Sequence, residues 1–301
     1  KEEAESLIPG QIIKGIGGFY YVKTDTGVYE CKARGVFRKD SLTPLPGDKV
    51  SISVIDEENK IGNIEEIFPR QSQLIRPAVA NVNQIAIVIA IKSPQPDFTL
   101  LDKLLISTEQ KGISAIICIN KIDLDEKDEH KNIAKAYEKA MYKVIALSSV
   151  TGTGFDELEL ALRDKTTVFA GQSGVGKSSI LNKILNSYVM KTGSISDRIE
   201  RGRHTTRHAE LIELKSGGFV VDTPGFSSFE ISGIEANELQ NFYPEFREYI
   251  GRCKFTGCMH ISEPSCEVKA ALEKEVLDKG RYNRYVEFYN ILREKQRKKY
   301  Y

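Results

Sequence analysis

The chain has 301 residues, 41% of them hydrophobic and 28% charged, with 43 lysines and arginines against 42 acidic residues and a formal net charge of +1. That length suggests two or three domains, the composition excludes a disordered chain, and the near-zero charge balance excludes a uniformly basic nucleic-acid coat. The longest apolar run, Ile85 to Ile91, is far short of the ~18 residues of a membrane span, and the opening Lys1-Glu2-Glu3 is no export leader. A cytoplasmic monomer without membrane attachment is expected.

Residues 1–68 read as all-β. Val50, Ile52 and Val54 alternate with Ser51 and Ser53, the period of a half-buried strand. Gly10 to Thr24 (broken at Gly17-Gly18), Gly27 to Gly35 and Lys60 to Ile67 supply the other strands of a small barrel. Lys32 and Arg34 share a face of the third strand and Arg38 and Lys39 follow, which suits nucleic acid as well as a solvated polar face. Pro69 to Pro77 has linker composition. Over 78–229 apolar strands at Gln84–Ile91, Ser114–Ile119, Lys143–Leu147, Thr166–Ala170, His208–Leu214 and Gly218–Val221 alternate with helical patterns, the signature of an α/β domain with a mostly parallel sheet. From 230 to 301 helical patterns surround a cysteine cluster.

The run Gly171-Gln172-Ser173-Gly174-Val175-Gly176-Lys177-Ser178 matches a phosphate-binding loop, G-x-x-x-x-G-K-[ST], between a strand and a helix carrying Ile180, Leu181, Ile184 and Leu185. Its glycines let backbone N–H groups converge on phosphates at a helix N-terminus. Lys177 then reaches the β- and γ-phosphates, and the Ser178 hydroxyl ligates Mg²⁺. Asp222-Thr223-Pro224-Gly225 follows a strand, placing Asp222 to hold the Mg²⁺ shell and the Gly225 N–H to touch a γ-phosphate.

Asn120-Lys121-Ile122-Asp123 ends another strand and looks like the guanine-reading motif of translation-factor and Ras-type GTPases. Asp123 would accept from the guanine N1–H and 2-amino group, Asn120 would support the site, and the Lys121 stem would pack over the base. Ser148-Ser149-Val150 resembles the last GTPase motif, whose backbone N–H reads guanine O6. In ordinary GTPases the base motif follows the phosphate loop; here Asn120 precedes Gly171 by 51 residues, which is a circular permutation.

Between the phosphate loop and Asp222 lies Gly202-Arg203-His204-Thr205-Thr206-Arg207, in the place of a mobile switch whose threonine completes the Mg²⁺ shell. Thr206 is the expected ligand, with Thr205 the alternative. Phe226 stands where Ras-like enzymes place a water-orienting glutamine, so His204 is the expected group for orienting or deprotonating water. Of the five cysteines, Cys31 and Cys118 stand alone in strand-like stretches. Cys253, Cys258 and Cys266 fall within 14 residues together with His260. Three thiolates and one imidazole suit a closed, tetrahedral, structural Zn²⁺ site. Tyr282, Tyr285, Phe288 and Tyr289 share one face of a C-terminal helix that ends in a basic tail, Arg293 to Lys299.

A small barrel, a permuted GTPase domain and a Cys-Cys-His-Cys module together resemble the ribosome small-subunit-dependent GTPase A family over essentially the whole chain. The resemblance rests on N-K-I-D at 120–123, G-Q-S-G-V-G-K-S-S at 171–179 (through Ser179), G-R-H-T-T-R at 202–207 and D-T-P-G-F at 222–226, with the zinc ligands. It implies an N-terminal OB-fold, binding of GTP and GDP with Mg²⁺ and one zinc ion, and GTP hydrolysis stimulated by the small (30S) ribosomal subunit late in its maturation. The barrel and zinc module would grip 16S rRNA. Relatives often carry a third switch threonine where this chain has Arg207. Two other readings share the phosphate loop. One is an ATPase or small-molecule kinase with an accidental N-K-I-D, and the other a non-enzymatic RNA-binding scaffold that uses GTP only as a structural ligand.

Overall fold

The structure, a computed structural model, describes residues 7–34, 37, 42–189, 209–222 and 233–299. Arg38, Lys39, the switch segment with His204, Thr205 and Thr206, and Gly225 with Phe226 lie outside the described residues.

Five strands form the closed barrel: β1 (Ile8–Ile16), β2 (Phe19–Thr24), β3 (Gly27–Ala33), β4 (Lys49–Asp56) and β5 (Ile61–Ile67), in the order β1-β2-β3-β5-β4. Neighbours are antiparallel except β3 and β5, and β1 closes the barrel against β4. Its core is Ile12, Val22, Tyr29, Cys31, Val50, Ile52 and Ile64. The expected alternation in β4 is overturned: Ser51 and Ser53 are buried along with Val50 and Ile52, while Val54 is only half-buried. β4 is paired along both edges, and Ser53 Oγ donates to Glu65 Oε1 at 2.6 Å, so the outer side of the strand is covered too.

The segment with linker composition is not extended chain. β6 (Gln73–Leu74) pairs antiparallel with β7 (Val79–Ala80). Arg70 Nε and Nη2 donate to the two Asp48 carboxylate oxygens at 2.7 and 2.8 Å, and Nη2 also donates to Thr43 O. Asp48 is fully buried, and a buried carboxylate needs such a bidentate partner.

All six α/β strand candidates are present: β8 (Gln84–Ala90), β9 (Ser114–Asn120), β10 (Lys143–Ala146), β11 (Thr166–Ala170), β12 (Glu210–Glu213) and β13 (Phe219–Asp222). The sheet order is β10-β9-β8-β11-β13-β12, and β12 runs antiparallel to β13 at one edge. β8 is buried at every position, as a strand covered on both faces must be. The helices are α1 (Phe98–Gln110), α2 (Glu129–Lys139), α3 (Phe155–Leu162), α4 (Lys177–Val189), α5 (Glu267–Glu273) and α6 (Lys279–Lys299).

The chain forms two compact units. One contains the barrel, β11, β12 and β13. The other contains β9, β10, α1, α2, the loop from Gly171 to Ile180 and the described residues after 232. In this second unit the Asp97 carboxylate caps α1 by accepting from Leu100 N at 2.8 Å. The aromatic stripe of α6 is core: Tyr285 and Phe288 are buried with Leu239, Tyr243, Phe246, Val268 and, from α1, Ile106. Beside them the Arg281 guanidinium is fully enclosed. It donates to Asp102 Oδ1 at 2.6 Å and to Glu245, while Arg284 Nε donates to Asp102 Oδ2 at 2.5 Å. The rings of Tyr137, Tyr142 and Tyr243 lie 4.7–5.5 Å from the Arg281 guanidinium carbon.

Candidate nucleotide and metal sites

The phosphate loop is a sharp strand-to-helix turn that two glycines make possible. Gly171 (φ +137°) and Gly176 (φ +96°) both have left-handed-side backbones, and neither has room for a Cβ. At Gly171 a Cβ would strike Val88 O; at Gly176 it would strike Asn120 Nδ2. Val175 is buried and anchors the loop, whereas Ser173, Gly174, Ser178 and Ser179 are exposed and Gln172 is half-buried. Lys177 Nζ donates to Gly171 O at 2.6 Å and Gln172 O at 2.8 Å, folding its ammonium over the loop. Burial lowers its pKa.

The Asn120–Asp123 segment, expected from sequence to read the base, is tied to this loop by side chains rather than by sequence proximity. Asn120, fully buried at the end of β9, donates from Nδ2 to Val175 O at 2.9 Å, and its Oδ1 accepts from Ser149 Oγ at 3.3 Å. Lys121 (φ +64°) donates from Nζ to Gly174 O at 2.8 Å and to Ser93 O. Its stem therefore runs from the base-reading turn to the phosphate loop. Asp123 is exposed, in a 3-10 turn at Ile122–Leu124, and its Oδ1 accepts from the buried Ser148 Oγ at 2.5 Å. Ser148 Oγ in turn accepts from Thr151 N at 3.1 Å. One carboxylate oxygen is thus pinned, and the carboxylate is oriented before any ligand arrives. Asn120, Lys121, Asp123, Ser148, Ser149, Gly174, Val175 and Gly176 are brought together in one connected cluster.

Asp222 ends β13, directly opposite Glu210 of β12. Partial burial, and then the Glu210 carboxylate, raise its pKa. This is the environment of a carboxylate that gains from a cation.

The Cys3His set is assembled. The candidate ligand atoms of Cys253, Cys258, His260 and Cys266 lie within 4.8 Å of one another. Cys253 Sγ is 3.9 Å from Cys266 Sγ, and His260 Nδ1 is 3.5 and 3.3 Å from those two sulfurs. Tetrahedral zinc, with bonds of about 2.3 Å to sulfur and 2.05 Å to nitrogen, sets S···S near 3.8 Å and S···N near 3.6 Å. The donor set therefore fits zinc. His260 presents Nδ1 to the sulfurs because Nε2 is bonded to Gln240 Oε1 at 2.9 Å, the outer partner that fixes a ligating imidazole. Burial lowers the His260 pKa, favouring the neutral ring that binds metal. Burial also pushes the Cys258 thiol up to about 12 and raises Cys266. Two more groups hold the turn between the ligands. Although burial opposes it, backbone N–H donors at Met259, Ile261 and Ser262 keep the Glu263 carboxyl below its usual range. Tyr282 and Tyr285 hydroxyls donate to His260 O and Met259 O, both at 2.8 Å. Sequence reasoning named the four side chains the structure clusters but not Gln240, Glu263 or the tyrosine clamps. No spacing rule points from a cysteine cluster to a glutamine 20 residues away.

Comparison with known proteins agrees with this geometry. The family model for the RsgA GTPase matches residues 67–232, and that for the RsgA N-terminal domain matches 9–64. A protein of Ruminiclostridium cellulolyticum named Small ribosomal subunit biogenesis GTPase RsgA is 58% identical, over 95% of this chain and 94% of its own. One of the same name from Alkaliphilus metalliredigens is 48% identical over 96% and 99%. Among solved structures, YloQ, described as a circularly permuted GTPase, superposes with a TM-score of 0.81 at 40% identity, covering 98% of both chains. YjeQ from Thermotoga maritima also reaches 0.81, at 34% identity over 95% and 99%. Matched by the RsgA GTPase model over more than half its length and 58% identical to a named relative, the chain belongs to the RsgA GTPase family and is a GTP hydrolase.

Proposed function

We propose that this GTPase binds the small (30S) ribosomal subunit, acts late in its assembly and hydrolyses GTP to GDP faster when bound there. The observation that carries the reading is the near-full-length likeness to relatives named for small-subunit biogenesis, on a chain whose candidate guanine and phosphate residues are joined in one hydrogen-bonded cluster. The four segments 1–68, 69–77, 78–229 and 230–301 then serve as RNA-binding barrel, connection, GTPase and zinc module. The exposed Lys32, with its ammonium 5.3 Å over the Phe19 ring, offers charge and stacking surface on the barrel for 16S rRNA. No helix among the described residues is long and apolar enough to cross a membrane, and the protein works as a cytoplasmic monomer.

In the reaction, Asp123 accepts from the guanine and Ser148 keeps it aimed. The Lys177 ammonium exchanges the Gly171 and Gln172 carbonyls for β- and γ-phosphate oxygens. Gly171 to Ser179 wrap the phosphates, and the Gly225 N–H meets the γ-phosphate. Ser178, Thr206 and Asp222 would hold Mg²⁺, which when bound neutralises charge on the β- and γ-oxygens. His204 orients water in line with the γ-phosphorus. The bond to the β–γ bridging oxygen breaks, leaving GDP, and the water becomes part of inorganic phosphate. The zinc ion bound by Cys253, Cys258, His260 and Cys266 has no open position and takes no part in the chemistry.

The test is GTP turnover by the purified protein alone and with small subunits, large subunits or bare rRNA, with ATP as control. Stimulation by small subunits alone supports the proposal, whereas equal turnover throughout overturns the ribosomal assignment.

A further inference from the structure

Strand β12 faces two charged neighbours at once. Its antiparallel register sets Glu210 directly opposite Asp222 and Glu213 opposite Phe219. Directly opposed residues project to the same face with Cβ atoms about 4.5–5.5 Å apart, so the Glu210 carboxylate acts on whatever Asp222 holds. The barrel supplies the counter-charge. Lys14 Nζ of β1 lies 3.2 Å from Glu210 Oε2, and Lys23 Nζ of β2 lies 2.9 Å from Glu213 Oε2. The side chains of both pairs are a third exposed or more, so each pair can open without disturbing a core.

We propose that Glu210 is a positioning residue for the divalent cation of GTP hydrolysis, and that Lys14 of the barrel sets how much negative charge Glu210 presents beside Asp222. This rests on the reading of Asp222 as the magnesium-side aspartate. With Lys14 seated, the pair is close to neutral. With Lys14 drawn away, as by a phosphate captured on the barrel, Glu210 adds its full charge to that of Asp222 and the cation is held more tightly. Barrel occupancy is thereby communicated to Asp222 through one ion pair. The Lys23–Glu213 pair makes the same kind of contact three residues further along β12, about 10 Å away at the rise of a strand, opposite an uncharged ring. It secures the barrel without contributing to the field at Asp222.

The experiment measures the Mg²⁺ concentration that half-saturates binding of a fluorescent, non-hydrolysable GTP analogue to the full chain at low ionic strength. Lys14→Met should lower that concentration about 2- to 5-fold and Glu210→Gln raise it by a similar factor, the scale of an exposed ion pair. The double variant should return toward the parent, and 0.5 M salt should flatten all three. Lys23→Met and Glu213→Gln should leave it unchanged. Shifts of the same sign for Lys14→Met and Glu210→Gln, equal shifts at Lys23 and Glu213, a double variant that fails to return, or no shift at all would each overturn the proposal in favour of docking alone. Asp222→Asn separates this from the reading beneath it. If that variant weakens Mg²⁺ dependence while the Lys14 and Glu210 variants do nothing, only the coupling falls. If Asp222→Asn changes nothing, the magnesium assignment itself falls.

Discussion

At the scale of single residues, the base reader proposed above is made of side chains already held in place by hydrogen bonds within the chain. Ser148 pins one oxygen of Asp123, and Asn120 ties the same turn to Val175. Preorganised acceptors of this kind discriminate strongly, because the wrong base leaves polar groups unpaired. Asp123→Asn should therefore cost GTP affinity at least ~100-fold and move preference toward xanthine nucleotides, read by competition against a fluorescent analogue. Ser148→Ala should weaken guanine binding by about 3- to 10-fold, the ~1 kcal/mol scale of one net hydrogen bond lost from the orienting of Asp123, without changing the preferred base. His204, which lies outside the described residues, carries the water-orienting role alone in this scheme. His204→Ala should lower kcat by about 100-fold with GTP affinity retained; unchanged turnover would remove it from the reaction.

At the scale of elements, what was legible in the sequence and what was not divides along a physical line. The proposed phosphate and base motifs are short contiguous runs, and Cys253, Cys258, His260 and Cys266 fall within 14 residues, so the clusters the structure assembles could be proposed from sequence. The six α/β strands were visible from apolar runs. The alternation of β4 misled because period 2 reports side-chain direction and not what covers the outer face. The segment from Pro69 read as linker because its prolines and polar residues say nothing about Asp48, 22 positions upstream, which binds Arg70. Least legible was the buried ionic cluster joining α6 to α1, since Arg281 and Asp102 are 179 residues apart. In sequence both look like surface charges. Its energetics follow from burial. Removing one partner of a buried ion pair strands the other, at a cost of about 3–5 kcal/mol, so Arg281→Met alone should lower unfolding free energy by that order in urea titrations. Replacing Arg281 and Glu245 together by apolar residues of similar volume, which leaves Asp102 paired with Arg284, should recover most of it.

Across the whole molecule, stability is distributed between separate cores. The barrel core is drawn from β1 to β5 and Phe37, whereas the core around the zinc ligands is drawn from the residues after 232 together with Ile106. Cys258→Ser should bind one equivalent less zinc. Hydrogen exchange should show lost protection over 253–289 while β1 to β5 keep theirs; loss of protection throughout would mean a single cooperative unit. Because burial raises the pKa values of the Cys258 and Cys266 thiols, both carry protons at pH 7 before zinc arrives and lose them on becoming thiolate ligands. Zinc uptake should release at least about two protons per ion, measurable by calorimetry in buffers of different ionisation enthalpy.

The bond from Asn120 Nδ2 to Val175 O spans 55 residues in the direction of synthesis. A ribosome adding about 5–20 residues per second needs roughly 3–11 s to travel that distance. For that interval the emerging protein has its base-reading turn but no phosphate loop to tie it to. In the usual motif order the phosphate grip is made first and the base reader completes it. On the proposed assignment the nascent chain has no complete phosphate grip until Ser179 is out, so GTP is not expected to guide the folding of the residues made before it.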